Sequence, residues 1–149
     1  MNFFIKLFAT WGGSGYSPFA SGTVGTLAAI PFYLLLSCLP LPLYLVTLTA
    51  FFFLACWISG RAEVIFEEQD SGKIVIYEVV GYLVTMTAIP LDWRYIVAGF
   101  FLFRLFDIVK PPPARWFDQN LKNGYGVVLD DVAAGIYAWI CLMILMRFR

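Results

Sequence analysis

Residues 24–60 contain no charged side chain. A single helix needs about 20 apolar residues to cross the hydrocarbon core of a bilayer, so this run of 37 is long enough for two. The rest of the chain points the same way: 61% of residues are hydrophobic, 13% are charged and the mean hydropathy is +0.80. A soluble domain carries about 25% charged residues, and one of 149 residues has too little interior to hide this much apolar surface. Lipid is the solvent that fits. The expected fold is all-α: a polytopic membrane bundle of four to five membrane-embedded helices with a short interfacial N-terminal helix, forming one domain over residues 1–149.

The segments follow from hydropathy and helix breakers. Residues 3–11 (FFIKLFATW) suit a short amphipathic helix lying in the interface. Residues 12–26, with five glycines and a proline, read as a loop whose N–H groups could cradle phosphate. Pro40 and Pro42 divide the uncharged run into segments at 26–39 and 43–60. Residues 61–73 are polar. A third apolar segment covers 74–91, a fourth 95–109 and a fifth 129–146, with a polar loop at 110–127. The N-terminus does not read as a signal peptide. Cys38, Cys56 and Cys141 are far apart in apolar runs and read as packing residues. Zero net charge argues against a nucleic-acid partner.

Alternating the five segments across a bilayer places Lys6, Arg61, Lys73, Lys110, Arg115 and Lys122 on one side, with Arg94, Arg147 and Arg149 opposite. The positive-inside rule makes the first side cytoplasmic. Nine of the ten acids fall on or near that side; Asp92 is the exception. Glu78, Asp107, Asp130 and Asp131 stand at the cytoplasmic ends of three different apolar segments, so packing those helices would bring four carboxylates to one depth.

Crowded carboxylates in a medium of low dielectric take up protons or bind a cation. The chain has no histidine, and an all-oxygen site suits a hard ion, Mg²⁺ before Zn²⁺. Asp107 lies in the stretch FRLFDIVKPPP, where Arg104 and Lys110 share its helix stripe at three-residue spacing before three prolines end the helix. These two cations could hold a phosphate. Metal and cationic groups at headgroup depth suit a lipid phosphate ester. Blander readings exist for each feature. The stripe could be an ion-pair ladder stapling two helices, Asp130 and Asp131 could cap a helix, and Glu78 could be a surface acid. A small transporter or channel subunit is the alternative from another class, and a membrane scaffold a third.

Four blocks make a family visible: GSGYSPFASGTVGT (13–26), DSGKIVIYEVVG (70–81), FRLFDIVKPPPARWFD (103–118) and GYGVVLDDVAAG (124–135). In these blocks the chain resembles the phosphatidylglycerophosphatase A family of bacterial membrane enzymes. The resemblance implies Mg²⁺-dependent hydrolysis of the terminal phosphomonoester of phosphatidylglycerophosphate, giving phosphatidylglycerol and phosphate at the cytoplasmic face of the inner membrane. It implies that Glu78, Asp107, Asp130 and Asp131 form the catalytic and metal-binding set. Arg104 and Lys110 are assigned to the substrate phosphate, with Thr23, Gly22 and Gly25 as further donors. Two positions depart from the family pattern. Ser21 replaces a proline, and Tyr77 stands where an acid usually precedes the glutamate, which raises a catalytically impaired homologue as the alternative.

Overall fold

The computed structural model describes residues 2–18, 21–67, 74–109 and 124–148. All regular structure among them is helical. The order is α1 (Asn2–Ala9), a single 3₁₀ turn (Ser14–Tyr16), α2 (Ser21–Leu36), α3 (Leu41–Phe66), α4 (Ile76–Thr85), α5 (Trp93–Val109) and α6 (Gly124–Arg147).

Proline placement sets two of the boundaries. α3 opens with Pro40 at its N-cap and Pro42 in its first turn, where a missing N–H costs no hydrogen bond. It closes at Glu67, whose left-handed backbone (φ 54°) returns its N–H to Glu63 and Val64. Pro31 lies inside α2, where it removes one rung of the helical ladder. α3 and the Val128–Arg147 part of α6 are long and apolar enough to cross a membrane; α2 and α4 are apolar but shorter.

α4 is the centre of the bundle. Nine of its ten residues are buried, from Ile76 to Leu83 and again at Thr85. It packs on α6, α2, α3 and α5. At about 1.5 Å per residue it is about 15 Å long, half a bilayer. Its C-terminal carbonyls would be orphaned in an apolar interior, and side chains from neighbouring helices meet them. Tyr44 Oη donates to Leu83 O at 2.6 Å, and the Trp139 indole donates to Thr87 O at 2.8 Å. The apolar side chains left outside, such as Leu35, Val46, Phe101 and Ile144, are half to three-quarters exposed, and lipid is the medium that suits them.

Several expected boundaries move. The third segment, read as 74–91, is helical only over Ile76–Thr85; a turn follows in which Ala88 is left-handed (φ 60°), and Pro90 comes after it. The glycine-rich loop read as 12–26 has already become helix at Ser21. α3 runs on through Arg61 and Glu63 to Phe66, and α6 starts at Gly124 instead of 129. Lys110, the three prolines, Arg115, Asp118 and Lys122 lie outside the described residues.

Candidate active site

The inner end of the bundle gathers the start of α2, the start of α4, the end of α5 and the second turn of α6. Asp107 comes from α5, and Asp130 and Asp131 from α6. One carboxylate oxygen from each lies within 4.8 Å of the others. The three residues are 8%, 3% and 2% exposed. The carboxyl group of Asp131 is surrounded by those of Asp107, Glu78 and Asp130.

Glu78 sits in the first turn of α4, where the helix dipole favours an acid. It is 7% exposed, so it is not a surface acid. What brings it into the site is Gly22. A methyl group at Gly22 would lie 2.8 Å from Glu78 Oε1 and 3.0 Å from Arg104 Nη1. The bare Cα of α2 thus lets the glutamate and the guanidinium converge. Arg104 Nη1 also donates to Asp107 Oδ2 at 2.5 Å. That ion pair stays within α5 and does not staple two helices, so the ladder reading fails for it. Thr23 shares the first turn of α2 with Gly22 and is half-buried. A methyl group at Gly25, one turn further along α2, would lie 2.7 Å from Val75 Cβ.

Helix capping does not explain the aspartate pair. α6 begins at Gly124, which makes Asp130 and Asp131 its seventh and eighth residues, well past the cap. Their charge must be met from outside the helix. Among the described residues, four carboxylates stand against one guanidinium, an excess of three negative charges if all are ionised, and in a buried site this calls for protons or a cation. Among the described residues, the buried Asp131 Oδ2 and Arg104 Nε have no hydrogen-bond partner. An orphaned carboxylate oxygen beside two other acids fits a divalent ion, and the donors are all oxygen, as hard cations prefer. Asp107, Asp130 and Asp131 thus form a clustered acidic triad consistent with a metal site.

That triad is complete without position 77. Tyr77 is buried among the hydrophobic residues of the core, so the tyrosine takes no ligand from it, and the impaired-homologue alternative loses its basis. Two residues went unnoticed in the sequence. Gly81 of α4 and Gly135 of α6 cross so closely that a methyl on Gly135 would lie 2.5 Å from Gly81 O, and one on Gly81 would lie 2.8 Å from Asp131 O. Small residues inside apolar helices are the signal that could have flagged them.

The sequence matches the family described as Phosphatidylglycerophosphatase A over residues 7–146. It is 40% identical over 131 residues to the phosphatidylglycerophosphatase A of Escherichia coli (strain K12), covering 87% of this chain and 76% of that protein. It is 44% identical over 138 residues to that of Haemophilus influenzae, covering 91% and 85%. A protein of Bacteroides thetaiotaomicron, provisionally named a phosphatidylinositol-3-phosphatase, is 40% identical over 151 residues, covering 96% and 94%. No solved structure matches the chain. With the family pattern spanning nearly its whole length and the acidic triad intact, this multi-pass helical membrane protein belongs to the phosphatidylglycerophosphatase A family.

Proposed function

We propose that the chain hydrolyses the terminal phosphomonoester of phosphatidylglycerophosphate, releasing phosphatidylglycerol and phosphate at the cytoplasmic face of a bacterial inner membrane. The observation that carries this reading is the buried triad of Asp107, Asp130 and Asp131, one carboxylate oxygen of each within 4.8 Å of the others, beside an arginine with a buried nitrogen that has no partner among the described residues. The triad would hold Mg²⁺, with Glu78 at its edge. When bound, such an ion polarises phosphoryl oxygens and lowers the pKa of a coordinated water.

The chain's own groups have separable tasks. Arg104 is fixed by Asp107 and turned toward Gly22, where its fork would hold two phosphate oxygens. The N–H groups of the first turn of α2, including those of Gly22 and Thr23, would face the same anion. Lys110, six residues beyond Arg104, would add a point charge. Glu78, packed against Gly22 and near Asp131, would accept a proton from the attacking water. The water oxygen bonds to phosphorus, the ester P–O bond breaks, and the lipid alkoxide is protonated on leaving. The apolar bundle keeps the acyl chains in lipid while the headgroup reaches the acids. A transport path is disfavoured because the triad, Glu78 and Arg104 all collect at one end of the bundle.

Phosphate release from mixed micelles tests the reading. Phosphatidylglycerophosphate should be hydrolysed in Mg²⁺, hydrolysis should stop on EDTA treatment, and added Mg²⁺ should restore it. Phosphatidylinositol 3-phosphate, the substrate in the name of the Bacteroides relative, is the competing lipid. Preference for it would reassign the substrate, and chelator-resistant turnover would remove the metal.

A further inference from the structure

Three elements meet at Val75, the N-cap residue of α4. Its N–H donates to Ala9 O at 2.8 Å, and its carbonyl accepts the N–H of Glu78 at 3.1 Å. Its side chain lies against Gly25 of α2, where an added methyl would stand 2.7 Å from Val75 Cβ. Ala9 and Val75 are almost fully buried. The last residue of α1 is therefore bonded to the residue on which the first turn of α4 is built, three positions before Glu78.

α1 has two faces. Ile5 and Ala9 are buried against the bundle, while Phe3, Phe4, Leu7 and Phe8 are exposed. Lys6 stands over the Phe66 ring at 5.8 Å from its centroid. The turn after α1 is tied at both ends. Thr10 Oγ1 donates to Lys6 O and Ser14 Oγ to Thr10 O. The Trp11 indole donates to Ala28 O at 3.0 Å, and its ring packs on Phe32 and Phe51. An eight-residue helix is not stable alone in water, so what α1 rests on determines where Ala9 sits.

We propose that α1 positions Glu78: its aromatic face seats in the lipid headgroup layer, and the Ala9–Val75 bond carries that seating to the first turn of α4. Ala9 and Val75 are positioning residues and touch no substrate. The proposal rests on the phosphatase reading for its kinetic consequence, but not for its structural one. A plain membrane anchor would change only the capture of lipid substrate. A positioning helix changes turnover once substrate is bound.

The full chain in nanodiscs provides the test, comparing the parent with Phe4→Ser/Phe8→Ser, with the apolar control Phe4→Leu/Phe8→Leu, and with Trp11→Phe. Hydrogen exchange is followed at the amides of residues 75–79 and, as a reference, in α6. Both the serine pair and Trp11→Phe should speed exchange at 75–79 by about tenfold while α6 stays protected; the leucine pair should match the parent. On a monodisperse short-chain phosphatidylglycerophosphate, kcat should fall about tenfold with KM unchanged. Unchanged exchange at 75–79 overturns the proposal, as does a loss confined to KM on long-chain lipid. If the serine pair loses protection throughout α6, Trp11→Phe alone decides. A parent that releases no phosphate would sink the phosphatase reading, and the exchange data would still decide the positioning role.

Discussion

Gly135→Ala would put a methyl group into the crossing of α4 and α6. The added methyl would lie 2.5 Å from Gly81 O and 3.1 Å from Val84 Cβ, where ordinary contacts begin at 3.4 Å. The obstacle is backbone, so α4 and α6 must separate by about 0.9 Å. Overpacking of this kind costs roughly 1–3 kcal/mol, and the better helix propensity of alanine returns about 1 kcal/mol. The variant should therefore remain folded. The same crossing sets the distance between the proposed proton acceptor and the proposed metal site, since Glu78 is three residues from Gly81 and Asp131 four from Gly135. A misplacement of about 1 Å costs on the order of 100-fold in rate. The assay is phosphate release from micellar phosphatidylglycerophosphate at saturating Mg²⁺, with thermal unfolding followed by tryptophan fluorescence. Gly60→Ala is the control: a methyl there meets nothing within 4 Å, so activity should be unchanged and stability equal or up to about 1 kcal/mol higher. If Gly135→Ala keeps activity within about threefold of the parent, less than 1 kcal/mol in barrier, the crossing does not set the site geometry and the reasoning fails.

Other outcomes follow from the same contacts. Asp131→Asn should lower turnover at least about 1,000-fold while leaving the helical circular dichroism intact; substantial remaining activity would take Asp131 out of the metal set. Arg104→Lys should raise KM by about tenfold or more, since a point charge cannot reproduce a two-pronged grip on phosphate, and unchanged kinetics would place the phosphate elsewhere. Tyr44→Phe removes the donor to Leu83 O and should cost about 1–2 kcal/mol of stability with little change in kcat, read from thermal unfolding and phosphate release.

How much of this was legible in the sequence depended on how rare each signal was. Charges are sparse in this chain, so each acid at the end of an apolar run carried weight. Alternating the segments was enough to bring Asp107 and the Asp130–Asp131 pair together, and the structure has them as a triad. Hydropathy was less informative about α4. A helix wrapped by other helices and one facing lipid are equally apolar on every side, so residues 74–91 read as one span where only ten residues are helical. The glycines divided by what they touch. Gly22 was singled out as part of a loop, and it matters instead as the bare first turn of a helix pressed on Glu78 and Arg104. Gly81 and Gly135 pair across 54 positions of chain, and no local pattern announces such a partner.

The position of α4 explains why so short a helix sits at the centre. Glu78 has to face acids from α6 while its own helix enters no deeper than half a bilayer. A full-length α4 would carry its C-terminal carbonyls to the opposite surface, where water could satisfy them. The half-length helix leaves those carbonyls inside, and Tyr44 and Trp139 meet the groups at Leu83 and Thr87. Each partner comes from a longer helix, α3 or α6. These hydrogen bonds fix the depth of α4 from its far end, and the Ala9–Val75 bond and the Gly22 contact fix it from the near end. An acid held from both ends loses little orientational freedom when substrate arrives, which is the condition for placing a proton acceptor within about 0.5 Å of its productive geometry.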